Sequence, residues 1–243
     1  MTFVRSVLFA GWLYLMMAVS GLICLPQTIA TGGKSMAGGR MWARTTLFGL
    51  RWIVGARVVF KGMEHAPKGA AIIAGKHQAM LETIVPFIMF ERPAFVLKAE
   101  LLAAPVLGWY AKAMGMIPVD REAHASALKK LLRAARPARD AGRQIVIFPE
   151  GARQQPGVAG EYKPGVAAIY RDLGVPCVPM ALDTGRIWSA KGIMRRPGVA
   201  TIELLPPIPP GLSRDAFMKT LEERIEKRSQ ELLLDTPRYT SGA

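Results

Sequence analysis

Short apolar runs rich in β-branched residues alternate with longer segments of helical length along most of this chain. From residue 56 onward, six runs have the length of strands: Ala56–Lys61, Ala70–Ala74, Ala94–Leu97, Gln144–Phe148, Cys177–Leu182 and Val199–Leu205. The segments with helical length are Glu82–Phe90, Ala103–Met114, Ala123–Ala141, Gly165–Leu173 and Arg214–Leu234. Because such alternation places helices over a sheet, we predict an α/β domain at residues 56–235. Its sheet is expected to be mixed or largely parallel and covered by helices, with a short tail at residues 236–243.

The first 55 residues have a different composition. No charged residue occurs from Ser6 to Gly33, and the segment from Val7 to Ile29 is almost entirely apolar. A helix needs about 20 apolar residues to cross a bilayer, so this segment is long enough. A cleaved signal peptide is the alternative, but its apolar region is normally shorter, at about 7–15 residues. We therefore predict a membrane-associated helical segment at residues 1–55, which either spans the membrane or lies in it.

The distribution of cations around this segment predicts its orientation. Arg5 is the only basic side chain before it, whereas Lys34, Arg40, Arg44 and Arg51 follow it. Basic residues favour the cytoplasmic side, so the body of the protein is expected there. The stretch Met41–Ala56 is amphipathic, and it suits a helix at the membrane interface and a core helix equally well.

The overall charge indicates an anionic partner. The 243 residues include 32 Lys and Arg against 18 Asp and Glu, giving a net charge of +14, and the mean hydropathy is +0.21. Nucleic acid, anionic lipid and an acidic protein all satisfy that charge. The cations are scattered, without an aromatic-rich basic tract or a known binding module, which disfavours nucleic acid. Only two cysteines occur and no Cys/His cluster, so no metal site is predicted.

The charged side chains of the last helix and of the short Arg-Arg and Lys-Lys pairs are interpreted as solvated surface. The helix carries an apolar face formed by Phe217, Leu221, Ile225 and Leu232, and its other positions are mostly charged. This pattern is typical of a helix that packs one face on a sheet.

The stretch from Ala74 to Val85, AGKHQAMLETIV, places a histidine after a strand and an acid five residues later. If His77 lies in the bend before the helix, Glu82 can accept a proton from one ring nitrogen and fix the tautomer. The other nitrogen is then a general base. A loop histidine before an ordinary helix gives the same pattern, so this stretch alone leaves both interpretations open.

Two further loops follow predicted strands, where α/β folds build their sites. In Gly115–Glu122, GMIPVDRE, Arg121 either binds a phosphate or pairs with a neighbouring acid at the start of a helix. In Ile145–Gln154, IVIFPEGARQ, Gly151 allows close approach of the backbone to a ligand. There Glu150 can hold hydroxyls or an arginine, and Arg153 can bind phosphate. A tight turn with a surface arginine is the alternative.

Together these elements resemble the glycerophospholipid acyltransferases, most closely the bacterial 1-acyl-glycerol-3-phosphate acyltransferases. His77 matches the histidine of the family's His-x4-Asp motif, and Glu82 replaces its aspartate. Arg121 matches the arginine of the second motif, and Lys98 resembles a lysine found before it. The Phe-Pro-Glu-Gly motif is matched at residues 148–151 with Arg153 following, and the Val-Pro-x-x-Pro run at residues 175–179. The resemblance covers roughly residues 55–210.

The resemblance implies transfer of an acyl group from a thioester to the sn-2 hydroxyl of lysophosphatidic acid. His77 would be the base and Glu82 its orienting acid, with no covalent acyl-enzyme. Substrate would be bound by Lys98, Arg121, Glu150, Gly151 and Arg153. No bound cofactor or metal is implied, and the co-substrate is acyl coenzyme A or acyl carrier protein. The alternatives are another acceptor, such as a lyso-ornithine lipid, or a basic membrane-anchored binding protein without catalysis.

Overall fold

Seven strands form one mixed sheet in the computed structural model of the chain, which describes residues 1–119 and 124–235. The strands are β1 (Ala56–Lys61), β2 (Ala71–Gly75), β3 (Pro93–Lys98), β4 (Ile117–Val119), β5 (Gln144–Ile147), β6 (Cys177–Leu182) and β7 (Gly198–Leu204). The helices are α1 (Thr2–Ala30), α2 (Ala37–Gly49), α3 (Pro86–Met89), α4 (Pro105–Ala113), α5 (His124–Asp140), α6 (Gly165–Leu173) and α7 (Arg214–Asp235).

Strand direction decides where the loops meet. The sheet order is β1-β7-β6-β2-β5-β3-β4, and the five strands from β6 to β4 are mutually parallel. β7 runs antiparallel to β6 and pairs with β1 in parallel. Because parallel strands end at the same edge, the loops after β2, β3, β5 and β6 all leave from one edge of the sheet.

Helices cover both faces of the sheet, because the strand side chains alternate between two apolar cores. On one face Ile73, Val146 and Val178 pack with residues of α1, of α3 and of the π-helical turn Leu50–Val54 that follows α2. On the other face Ile72 and Ile145 pack against α5, α6 and α7. The two-residue period of a strand therefore places consecutive isoleucines of β2 in opposite cores.

The N-terminal helix α1 lies along the α/β body and packs against α2. The Trp12 indole N–H donates to the Thr45 carbonyl at 2.8 Å, and the Trp42 indole N–H donates to the Leu13 carbonyl at 3.1 Å. In length and composition α1 is long and apolar enough to cross a membrane, although core helices and signal sequences meet the same criterion. The stretch Met41–Ala56 was interpreted either as a core helix or as a helix at the membrane interface. Both apply in part, because Thr46 is buried and Trp52 is 68% exposed.

The predicted α/β class with a mixed, mostly parallel sheet is confirmed, and two local predictions are corrected. The predicted helix Glu82–Phe90 is a 3-10 turn, Leu81–Thr83, followed by the short helix α3. Pro86 occupies the first turn of α3, since its missing N–H cannot extend a preceding helix. Strand β4, only three residues long, was not predicted. The predicted tail at residues 236–243 lies outside the described residues.

Candidate active site

The candidate site lies at the sheet edge where the parallel strands end. His77 follows β2, Glu150 follows β5 and Thr184 follows β6. β2 lies between β5 and β6, so the loops that carry these three residues are neighbours. The fold therefore brings together residues that are about 70 and 100 positions apart in the sequence.

His77 and Glu82 form a hydrogen-bonded pair. The distance from His77 Nδ1 to Glu82 Oε1 is 3.1 Å, with the Glu82 side chain fully buried and the His77 side chain 13% exposed. His77 Nε2 has no hydrogen-bond partner among residues 1–119 and 124–235. A carboxylate on Nδ1 favours the tautomer whose Nε2 lone pair is free to accept a proton. The geometry is the one that a base and its orienting acid require.

The carboxylate of Glu82 is itself held in place by three other donors. Oε1 accepts the backbone N–H groups of Gln78 and Ala79, and Oε2 accepts the hydroxyl of Thr184 at 3.0 Å. The 3-10 turn folds the glutamate back over the loop that carries His77. This turn accommodates the additional methylene that distinguishes Glu82 from the aspartate of the family pattern.

The imidazole and the loop around it are fixed by packing and by backbone hydrogen bonds. The Phe148 ring stacks on the imidazole with centroids 4.4 Å apart. The His77 carbonyl accepts the Gln154 N–H at 2.8 Å, and the Gln78 side-chain carbonyl accepts the Gly185 N–H at 2.9 Å. A base held from several sides loses little entropy when it reaches the geometry of reaction.

Glu150 holds the loop that carries His77 through hydrogen bonds to the backbone. Its Oε2 accepts the backbone N–H of His77 at 2.9 Å, and its Oε1 accepts the Gly160 N–H at 3.0 Å. Gly151 follows with φ of 68°, a left-handed conformation that favours glycine. The buried Glu150 side chain also forms an ion pair with a lysine, whereas the sequence suggested that it holds hydroxyls or an arginine. Glu150 therefore positions the loop that carries His77.

That lysine, Lys76, lies at the centre of a buried ion cluster that sequence reasoning missed. The Lys76 side chain is only 1% exposed. Its Nζ donates to Glu150 Oε1 at 2.7 Å and to both carboxylate oxygens of Glu226 at 2.8 Å. It also donates to the Val158 carbonyl at 2.8 Å. The Tyr162 hydroxyl donates to Glu226 at 2.9 Å. Burial and the charge of Glu226 raise the pKa of Tyr162, so its hydroxyl remains protonated. α7 is therefore more than a packing helix, because Glu226 reaches under the site.

Two of the three predicted phosphate-binding cations lie at the surface of the same edge. Lys98 ends β3 and is exposed. Arg153 is also exposed, and its Nη1 donates to the Ala190 carbonyl at 3.4 Å. Arg121 lies outside the described residues. In the part of the chain that the structure describes, no group of three or more His, Cys, Asp or Glu side chains is arranged to hold a metal ion.

The family model called Acyltransferase matches residues 57–183, just over half of the chain. The chain belongs to the Acyltransferase family. The matched range includes nearly all of β1 and all of β2 to β6, with Lys76, His77, Glu82 and Glu150, whereas Thr184 and Glu226 lie beyond it. The resemblance stated from the motifs is therefore confirmed at the level of the family.

Several relatives are called 1-acyl-sn-glycerol-3-phosphate acyltransferase. The protein of that name from Pseudomonas aeruginosa is 32% identical over 165 residues, covering 68% of this chain and 64% of the relative. The one from Limnanthes douglasii is 30% identical, covering 65% and 56%. The human alpha form is 24% identical, covering 88% and 75%. The match thus spans less than two thirds of the Pseudomonas and Limnanthes relatives.

A solved structure has the same fold. The crystal structure of the 1-acyl-sn-glycerophosphate acyltransferase from Thermotoga maritima aligns with a TM-score of 0.72. The alignment covers 96% of this chain and 99% of that one, at 20% sequence identity. The likeness extends over α1 and α2 as well as the α/β body.

Proposed function

We propose that this acyltransferase moves a fatty acyl group from a thioester to the sn-2 hydroxyl of 1-acyl-glycerol-3-phosphate, giving phosphatidic acid. The observation that supports this best is His77, whose Nδ1 is held by the buried Glu82 and whose Nε2 has no partner in the described part of the chain. A polarised base of this kind suits proton removal from an alcohol. The names of the relatives support the acceptor.

The proposed step needs no covalent enzyme intermediate. His77 Nε2 takes the hydroxyl proton as the acceptor oxygen forms a bond to the thioester carbonyl carbon. The tetrahedral intermediate then expels the thiolate as the carbon–sulfur bond breaks, and His77 returns the proton to sulfur. Glu82 stabilises the imidazolium that exists between the two transfers. Atoms and charge balance without any further reactant.

Lys98, Arg121 and Arg153 are the proposed cations for the acceptor phosphate. Guanidinium and ammonium groups bind phosphate oxygens through charge-assisted hydrogen bonds. Arg153 immediately precedes Gln154, whose N–H donates to the carbonyl of His77. A phosphate bound there would lie near the base. Glu150 and Gly151 shape the turn that presents Arg153.

An acyl-transfer assay on the purified protein tests the proposal. Incubation with radiolabelled lysophosphatidic acid and palmitoyl coenzyme A, or with palmitoyl acyl carrier protein, should give labelled phosphatidic acid with at least one donor. A parallel reaction with lyso-ornithine lipid provides the acceptor control. Product only from lyso-ornithine lipid would overturn the acceptor, and product from neither would overturn the function.

We further propose that α1 lies in one leaflet and does not cross the membrane. Near its start, Ser6 Oγ accepts the Arg195 N–H at 2.8 Å, and Phe9 meets the edge of Trp188 at 5.4 Å. Further along the helix, the Gly21 carbonyl accepts the Tyr110 hydroxyl. Since the body holds the helix both near its start and at Gly21, α1 has no free length of about 30 Å to span the hydrocarbon.

The outward face of α1 provides the membrane contact. Leu8, Leu15 and Leu22 repeat every seven residues and are 59%, 56% and 71% exposed. Such a stripe above a basic body suits burial in the outer part of an anionic leaflet. The face is therefore expected to anchor the site at the cytoplasmic surface of the inner membrane.

Cysteine labelling distinguishes the two arrangements. In inverted membrane vesicles, Arg5→Cys and Lys34→Cys should both react with a membrane-impermeant maleimide, because both residues are exposed and the proposal places the first turn of α1 and the segment after it on the same side. The unmodified chain is the control, since Cys24 and Cys177 are buried. Labelling of only one of the two variants would show that α1 crosses the bilayer.

A further inference from the structure

Arg195 departs from the sequence interpretation of the Arg-Arg pairs as solvated surface. Arg196 is exposed, but Arg195 is only 8% exposed. Its guanidinium lies over the Trp188 ring, with Cζ 4.2 Å from the ring centroid. A short β-bridge joins the backbones of the same two residues. Arg195 is therefore held rigidly in the loop that follows β6.

Among the residues the structure describes, the Arg195 guanidinium has a donor without an acceptor. Nη1 donates to the carbonyls of Gly192 and Met194, at 3.2 and 3.0 Å. Nε is buried and has no acceptor among the residues the structure describes. Within the same ranges Arg195 forms no ion pair with a carboxylate. A buried cationic donor without an acceptor is costly, so the group is suited to an anionic ligand.

A second arginine approaches the same loop. Arg153 Nη1 contacts the carbonyl of Ala190, two residues from Trp188, and it too has no carboxylate partner in the described part of the chain. Burial lowers the pKa of Arg195 to about 10, and the positive charge of Arg153 adds to that lowering while Tyr14 opposes it. Arg195 therefore remains charged at neutral pH, and the positive charges of the two arginines repel each other until an anion lies near them.

The place of this pair within the fold indicates which anion. The loop with Trp188 and Arg195 begins just after Thr184, which holds the Glu82 carboxylate. The same loop contacts α1 through Ser6 and Phe9. The two arginines therefore lie where the membrane-facing helix meets the sheet edge that carries His77.

We propose that Arg195 is an acceptor-binding residue, which together with Arg153 binds the phosphomonoester of the lysolipid as it enters from the membrane. This inference rests on the proposed function and extends it to a residue that the family motifs do not contain. Arg195 would act on selection of the acceptor and not on the acyl-transfer step itself.

Kinetics with matched acceptors test the role. Arg195→Gln should raise KM for lysophosphatidic acid by roughly 10- to 100-fold, the loss expected for a hydrogen bond to a charged group, with kcat little changed. The KM for 1-monoacylglycerol, which has the same acyl chain and no phosphate, should stay within about twofold. Arg196→Gln is the matched control and should leave both values unchanged. An equal loss with both acceptors, or no loss with either, would overturn the proposal.

A binding measurement separates this inference from the catalytic proposal. Isothermal titration with glycerol 3-phosphate, and separately with inorganic phosphate, should show binding to the unmodified protein and to Arg196→Gln. Arg195→Gln should bind at least tenfold more weakly, and its melting curve without ligand checks that it folds. Equal binding by all three proteins would overturn the anion site even if acyl transfer is observed. Binding lost only in Arg195→Gln would support the site even if no acyl transfer is detected.

Discussion

Replacement of His77 by alanine will lower kcat for acyl transfer by roughly 100- to 10,000-fold, the usual contribution of a general base. In the described part of the site, only the imidazole has one nitrogen held by a buried carboxylate and a second nitrogen free of other partners. Its removal leaves the acceptor hydroxyl without a proton acceptor. The measurement is the single-turnover rate with lysophosphatidic acid and a saturating thioester.

His65→Ala is the matched control for this experiment. His65 lies in a surface turn, and among residues 1–119 and 124–235 its ring has a polar contact only with Glu64, at 3.8 Å, so the loss of the ring should leave the rate unchanged. Glu82→Gln is informative in the same assay, because it retains the size of the side chain and removes its charge. Glu82→Gln should lower kcat and change KM less, since Glu82 acts through His77. A His77→Ala enzyme as fast as the unmodified one would refute the base, and an unaffected Glu82→Gln would refute only the orienting role.

Replacement of Lys76 by methionine will destabilise the protein by about 3–5 kcal/mol, because it leaves buried Glu150 without its cation. The lysine is 1% exposed and the Glu150 side chain is fully buried, so water cannot replace the ion pair. For a chain of this size, that loss corresponds to roughly 6–20 °C in melting temperature. Thermal melting followed by circular dichroism measures it.

A double variant shows whether charge is the cause. Lys76→Met combined with Glu226→Gln removes one of the two carboxylates that face the lysine, and it should recover part of the lost melting temperature. Lys163→Met is the surface control, since Lys163 is 56% exposed and pairs with exposed Glu161, and its melting temperature should stay within about 2 °C. Unchanged melting of Lys76→Met would show that the cluster does not stabilise the fold.

The cluster also has a consequence for activity. Glu150 accepts the backbone N–H of His77 and the Nζ of Lys76 with its two oxygens. When Lys76 is absent, Glu150 is free to move, and His77 loses one of its backbone supports. Lys76→Met should therefore lower kcat even at temperatures where it is fully folded.

The fold could be predicted from the sequence because strand and helix patterns are local. A run such as Cys177–Leu182 is buried along its whole length and was assigned with the correct bounds. The helix expected at Glu82–Phe90 was wrong, because hydrophobic periodicity does not distinguish an α-helix from a 3-10 turn interrupted by proline. That error matters chemically, since the 3-10 turn is what folds Glu82 back towards His77.

The same locality explains which parts of the site were predicted. His77 and Glu82 are five residues apart, and the Phe-Pro-Glu-Gly turn is contiguous, so one stretch of sequence shows each motif. Thr184 was not predicted because the strand before it contains no reactive side chain. It also lies 102 residues from Glu82, whose carboxylate it binds, so no single stretch of sequence contains both. Lys76 had a local signal, a lysine directly after a buried strand, but nothing in the sequence identified its partners.

The alternation of strands and helices along the chain, the membrane-compatible N-terminal segment and the motif residues were predictable from the sequence alone, because each depends on neighbours within a few positions. Only the tertiary structure decided how charges pair across the chain. It placed Glu226 on Lys76 across 150 residues and buried Arg195 beneath α1 beside Trp188. A charged residue looks the same in sequence whether it faces water or a buried carboxylate, and its surroundings are set by strand order and helix packing.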